Sequence, residues 1–309
     1  MKTRHLRTLA DLSVGDIQAL FRDTAAMKRQ PSRHRAALAG QTVALVFQKP
    51  SMRTRVAFEV AVWQLGGQVT YLDQANIHLG QREPAKDAAR VLSRYVDAIV
   101  LRTFAHSTVE EFATYSSVPV INGLSDVAHP CQALADLYTI QERVGALRSV
   151  RLAYVGDGNN VLNSLIQGCG MLGVPLAVAT PNGYKPDAGI WSAAVRRAKA
   201  AKVPLTWTQD PRAAVRGARV VYTDVWTSMG QEAEQIMRRK TFPAYQVNDR
   251  LLFAAAKGCR VMHCLPAHRG EEITDQVMES DRSLVWEQAE NRLHVQKALL
   301  VHLMKGSRR

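Results

Sequence analysis

Apolar runs rich in β-branched residues alternate along this chain with stretches whose apolar positions recur at helical spacing. Thr42-Val-Ala-Leu-Val-Phe47 is continuous and apolar, as expected of a buried strand. Shorter runs of the same kind lie at 68–72, 98–102 and 118–122. Between them, helical periodicity is predicted over 12–29, 56–65, 86–95 and 109–116, the second stopped by Gly66-Gly67. A long helix is expected from about 132 to 144, followed by Gly145-Ala-Leu-Arg-Ser, a hinge or domain crossing. The alternation then restarts: strands at 150–155, 176–180, 220–223 and 260–264, helices at 163–172, 191–202, 275–280 and about 290–304. Strands alternating with helices argue for parallel sheets, and a restart after a glycine-led crossing argues for two α/β domains.

Length fits that division, since 309 residues exceed what one core usually serves. The composition, 47% hydrophobic and 22% charged, is that of a globular protein. A net charge of +13 suits an anionic small-molecule substrate. It does not indicate nucleic acid, because no block of six or more basic residues and no aromatic stacking motif accompanies it. The four cysteines form no C-x-x-C pair, so neither a zinc site nor a disulfide scaffold is expected, and a reducing cytoplasm fits. No apolar h-region follows Met1-Lys-Thr-Arg and no run approaches eighteen apolar residues, so neither a signal peptide nor a membrane span is expected.

In an open α/β sheet, ligands bind beyond the carboxyl ends of the strands, so polar residues placed there are the candidates. Ser51-Met52-Arg53-Thr54-Arg55 follows the first strand. Ser51 is a plausible N-cap, and arginines beside the free N–H groups of a helix start suit a phosphate; the same residues would also serve a capped helix with solvated arginines. Arg102 directly follows a strand run; so placed, an arginine is more often half of a surface ion pair. His129-Pro130-Cys131-Gln132 opens a helix, an environment that lowers imidazole basicity. In the second half, Gly156-Asp-Gly158-Asn-Asn160 invites a dinucleotide reading, but the third glycine of G-x-G-x-x-G is replaced by Val161 and the fingerprint fails. Asp224-Val-Trp-Thr-Ser228-Met229-Gly230 follows the strand at 220–223. His263-Cys264-Leu265-Pro266 ends another. A Cys264–His263 nucleophilic pair is rejected, because adjacent strand residues point to opposite faces.

Five motifs in this order, over about residues 9–303, resemble the aspartate and ornithine carbamoyltransferases. Met52 stands where that family usually has threonine, which removes a hydroxyl but not a backbone N–H. The resemblance implies two parallel-sheet α/β domains of similar size joined by interdomain helices, with the C-terminal helix packing back on the first domain. It assigns carbamoyl phosphate to residues 1–145, completed by about 286–309, and ornithine to 146–285. Ser51, Met52, Arg53, Thr54, His78, Arg102, His129, Gln132, Leu265 and Arg292 would contact carbamoyl phosphate, with Arg55 helping to hold the leaving phosphate. Asn160, Asp224, Ser228, Met229 and Cys264 would contact ornithine, and Arg102, His129 and Cys264 would take part in catalysis. The Ser-Met-Gly and His-Cys-Leu-Pro motifs favour ornithine over aspartate as acceptor. No cofactor or metal is expected. The family also implies a homotrimer, in which a loop bearing His78 reaches a neighbouring subunit's site.

Overall fold

The computed structural model describes residues 4–77, 79 and 83–305; His78 lies outside them. The chain divides into two compact units, Met1–Leu134 with Asn291–Arg309, and Ala135–Glu290. The division falls inside two helices, Pro130–Arg143 and Val285–Met304, whereas the expected boundaries stood after residue 145, past the end of the first, and at about 286, near the start of the second.

Unit 1 holds a parallel sheet ordered β2-β1-β3-β4, from β1 (Thr42–Phe47), β2 (Gln68–Asp73), β3 (Ala98–Arg102) and β4 (Val120–Leu124). Its helices are α1 (Val14–Arg29), α2 (Met52–Gln64), α3 (Gln74–Ile77), α4 (Ala85–Tyr95) and α5 (His106–Tyr115). Ala44, Val46, Ile99, Leu101 and Val120 pack against Ala88, Ala89, Val109 and Phe112 of α4 and α5. β4 starts two residues later than expected. Pro119 has no N–H to give the ladder, and the N–H of Val118 is taken by Ser116 Oγ at 3.1 Å.

Unit 2 holds a second parallel sheet, ordered β7-β6-β5-β8-β9: β5 (Leu152–Val155), β6 (Leu176–Ala179), β7 (Leu205–Thr208), β8 (Val220–Thr223) and β9 (Arg260–His263). α6 (Pro130–Arg143) and α13 (Val285–Met304) each contribute part of their length to it. Between them lie α7 (Asn160–Leu172), α8 (Ala188–Ala200), α9 (Pro211–Val215), α10 (Gln235–Thr241), α11 (Asp249–Leu252) and α12 (Asp275–Met278). Periodicity misses β7. It is a short edge strand behind Pro204, and its residues are half-buried or exposed, so no apolar run marks it. Several helices begin three or four residues ahead of the starts expected from periodicity, because a polar cap sets the start. Ser51 caps α2, Asn159 caps α7 and Asp187 caps α8, each accepting first-turn N–H groups.

The strand orders locate the candidate sites. In unit 1 the chain runs from β1 outward to β2 and then returns to β3 on the other side of β1. In unit 2 it runs from β5 to β6 and β7, then returns to β8 beside β5. Each reversal leaves a crevice at the carboxyl ends of two neighbouring strands, β1/β3 and β5/β8. The turn after β5 is tight: a Cβ on Gly158 would lie 2.4 Å from the carbonyl oxygen of Lys185. Gly158→Ala should therefore cost about 1–3 kcal/mol of stability by forcing two backbones apart, read as a lower urea midpoint with unchanged slope.

Candidate functional site

Unit 1 collects its polar residues at the β1/β3 crevice. Ser51 ends the β1 turn, and its Oγ accepts from Thr54 N at 3.3 Å, starting α2. The N–H groups of the first helical turn have no intrahelical acceptor, which leaves a positive end. Arg102 is the last residue of β3, in register with Phe47, and is only 5% exposed. His129 stands just before α6 and is equally buried. Arg292, on the unit 1 part of α13, donates from Nη2 to Thr54 Oγ1 at 2.6 Å. Gln132 is buried in the first turn of α6, its backbone N–H bonded to His129 O at 3.1 Å.

The electrostatics follow from that gathering. Burial holds His129 well below its usual value of 6.5, and the charges of Arg292, Arg102 and Arg53 depress it further. The ring is therefore a neutral imidazole among guanidinium groups, able to donate one hydrogen bond without adding positive charge. Arg55 does not join this group, contrary to the sequence expectation. Residues two apart on a helix point roughly 200° apart. Arg55 bonds Glu59 at 2.8 Å and lies 3.7 Å over the ring of Tyr71. Met52 is 70% exposed, leaving its backbone N–H as the part able to serve an anion.

Unit 2 builds the opposite sign at the β5/β8 crevice. Asp224, just past β8, is buried; Oδ2 accepts from Asn159 Nδ2 at 2.7 Å, and Oδ1 from Val225 N and Cys264 Sγ, both at 2.9 Å. Burial pushes the Cys264 thiol well above its usual 9.0, and Asp224 adds to the shift, so the sulfur is a thiol and not a thiolate. The asparagine that orients Asp224 is Asn159, the N-cap of α7; Asn160, the residue singled out from sequence, is the first residue of the helix itself. Ser228 and Met229 sit on the loop after β8, and Met229 is 46% exposed. Ser228 N donates to Gln231 Oε1 at 3.3 Å.

His263 faces away from Cys264 chemistry. Its Nδ1 accepts from Leu265 N at 2.9 Å, so the ring proton sits on Nε2 and points to Glu272 Oε1 at 3.0 Å. That bond braces Leu265, whose φ of +59° is strained for a side-chain-bearing residue. The ligand atoms of Asp224, His263 and Cys264 cluster within 4.8 Å, yet both imidazole nitrogens are already engaged, so the trio does not fit a metal ion. Behind it, Asp136 accepts from Tyr222 OH at 3.0 Å and Gln288 Nε2 at 2.7 Å, while Gln288 Oε1 accepts from His263 N at 2.9 Å. This buried network ties the ends of β8 and β9 to one position.

Residues 4–142 match the family model described as the carbamoyl-P binding domain of aspartate/ornithine carbamoyltransferase, and residues 148–303 match its Asp/Orn binding domain. The chain belongs to the aspartate/ornithine carbamoyltransferase family. Among its relatives, the ornithine carbamoyltransferase of Gloeobacter violaceus is 52% identical over 301 residues, covering 97% of this chain and 96% of the relative. That of Archaeoglobus fulgidus is 50% identical, covering 97% of each. The solved ornithine carbamoyltransferase of Pyrococcus furiosus superposes with a TM-score of 0.95 at 49% identity, over 98% of this chain and 97% of that one. Against the anabolic enzyme of Campylobacter jejuni the score is 0.93 at 37% identity, over 98% and 100%.

In this member of the carbamoyltransferase family, then, Ser51, Arg53, Thr54, Arg102, His129, Gln132 and Arg292 come together in unit 1, and Asp224 and Cys264 in unit 2. Asn159 is the residue that sequence reading missed; its capping position was the available signal. A histidine whose folded value lies below its unfolded value of about 6.5 takes up less proton in the folded state. Its stabilising contribution is therefore complete above pH 6.5 and is lost as pH falls. The unfolding free energy of the wild type minus that of His129→Gln should decline below pH 6.5 with a slope approaching about 1.4 kcal/mol per pH unit, measured by urea titration at several pH values.

Proposed function

We propose that the protein transfers the carbamoyl group of carbamoyl phosphate to the δ-amine of L-ornithine, giving L-citrulline and phosphate. Asp224 carries the choice of acceptor: it is a buried carboxylate, fixed by Asn159 and set 2.9 Å from a neutral thiol. Such a group suits the α-ammonium of a diamino acid and repels a second carboxylate, which aspartate would bring. Residues 1–145 with about 286–309 bind carbamoyl phosphate in this reading, and 146–285 bind ornithine.

Arg53 and the N–H groups from Ser51 to Thr54, including that of Met52, hold the phosphate. His129, Arg102 and Thr54 receive the carbonyl oxygen. Because Arg292 donates to Thr54 Oγ1, the hydroxyl proton of Thr54 is left to point at that oxygen. Arg292, Gln132 and the carbonyl of Leu265 orient the carbamoyl amide. The free δ-amine attacks the carbamoyl carbon and a tetrahedral oxyanion forms. It collapses with cleavage of the bond to phosphate, whose charge the arginines hold, and the proton of the attacking amine passes to the departing phosphate. A neutral His129 donates to the oxyanion and stays available across neutral pH. Asn160, Ser228 and Met229 enclose the amino-acid head group. Cys264 orients the amine without covalent attachment, since a thiol with raised pKa is a poor nucleophile. The reading extends to a cytoplasmic homotrimer, or a multiple of trimers, in which His78 completes a neighbour's site.

The test is a colorimetric assay of ureido product with carbamoyl phosphate and four acceptors side by side. Ornithine should exceed putrescine and acetylornithine in kcat/KM by at least ~100-fold, because those analogues leave buried polar groups unpaired. Aspartate should give no product above background. Equal rates with putrescine would overturn the choice of acceptor.

A further inference from the structure

α10 carries three consecutive basic residues, Arg238-Arg239-Lys240. Arg239 and Lys240 are exposed, while Arg238 is 4% exposed. A guanidinium is taken out of water only where its hydrogen bonds are replaced, and here they are. Nη1 donates to Asp157 Oδ2 at 2.8 Å and to the carbonyl of Trp226 at 2.6 Å. Nε and Nη2 reach Glu234 Oε2, both at 3.0 Å. The guanidinium carbon lies 4.8 Å over the ring of Tyr184.

Those contacts join separate segments of unit 2. Asp157 lies in the turn between β5 and α7, two residues before Asn159. Trp226 lies two residues past Asp224 and two before Ser228. Arg238 therefore closes the chain from Asp224 to α10 into a loop with its base pinned. At the tip, Ser228–Gly230, Ser228 N donates to Gln231 Oε1 and Gly230 N to Glu232. We propose that Arg238 is a positioning residue which, by clasping Asp157 to the Trp226 carbonyl, fixes the loop bearing Ser228 and Met229 and so sets ornithine affinity. The inference rests on the acceptor reading given above.

The clasp has its own pH dependence. Burial pushes Asp157 up from 3.8 to about 6, against the opposing pull of Arg238 from α10, with Asp224 at the end of β8 adding to the rise. The backbone N–H of Gly158 favours the charged form, and Glu234 faces Arg238 from its other side. A raised carboxyl takes up its proton in the folded state first. Between about pH 6 and 3.8 this group alone makes acidification stabilising to the fold. Loss of the charged clasp below pH 6 is therefore a local event in the loop and not unfolding.

The experiment measures ornithine and carbamoyl phosphate kinetics from pH 5.5 to 8.5 for wild type, Arg238→Met, Asp157→Asn and the double variant. Amide hydrogen exchange is measured on each. Both single variants should raise the ornithine KM roughly tenfold or more while kcat and the carbamoyl phosphate KM stay within about threefold. The double variant should be no worse than the worse single one. With ornithine counted as its free-amine form, so that protonation of the substrate is removed, the wild-type ornithine KM should climb as pH falls below 6, and Asp157→Asn should abolish that climb. Amides over 225–242 should exchange faster, with those of β5 unchanged. If Arg238→Met does not fold, the near-isosteric Asp157→Asn and Arg238→Lys carry the same readouts. An unchanged ornithine KM, equal damage to all three constants, or faster exchange throughout unit 2 would overturn the proposal. A wild type inactive on ornithine but active on another acceptor would overturn the acceptor reading, and this inference with it.

Discussion

Three guanidinium groups gathered round one buried imidazole are the constraint on which unit 1 depends. Like charges repel strongly where water is scarce, and a protonated imidazole among them would be costlier still. The chain meets this by keeping His129 neutral and by using Thr54 to take a hydrogen bond from Arg292. What results is a concentration of positive charge and first-turn N–H groups at the crevice where the β1–β3 strand order reverses. An anion entering there relieves the repulsion that folding accumulates. Binding and pre-organisation are then the same arrangement seen in two states.

Unit 2 applies the same topological rule with the opposite sign. The reversal at β5/β8 places Asp224 where unit 1 places Arg102, and the capping asparagine of α7 fixes its carboxylate. A buried network from Asp136 through Tyr222 and Gln288 to the backbone of His263 fixes the strand ends that carry Asp224 and Cys264. Neither Cys264 nor His263 is arranged for nucleophilic chemistry: the thiol is protonated, and both imidazole nitrogens are engaged by Leu265 and Glu272. Each unit thus supplies position and charge, which suffices for acyl transfer to an amine with phosphate as leaving group.

Much of this was legible in the sequence where one physical cause dominates locally. Continuous apolar runs such as Thr42–Phe47 and Val220–Thr223 appear as strands with the bounds read from sequence, because full burial leaves no polar alternation to blur their ends. The charged residues beyond them follow from the strand-end rule. Legibility fails where tertiary context decides. β7 lies at a sheet edge and presents mixed residues. Arg55 shares a motif with Arg53 but not a helix face. Asn159 went unread because it is the cap of a helix that starts at Asn160, three residues ahead of the stretch that periodicity marks. Arg238 is one of three adjacent basic residues, and only the fold shows that it alone is buried.

The central claim is that the cationic crevice of unit 1 holds the phosphate end of carbamoyl phosphate while neutral His129 receives its carbonyl oxygen. A crystal structure with phosphonoacetamide, in which a methylene replaces the bridging oxygen, tests this most directly. The account predicts the phosphonate on Arg53 and the N–H groups of Ser51 to Thr54, with the amide oxygen within hydrogen-bond distance of His129 and Arg102. A phosphonate bound away from the α2 N-terminus, or an amide oxygen out of reach of His129, would contradict it.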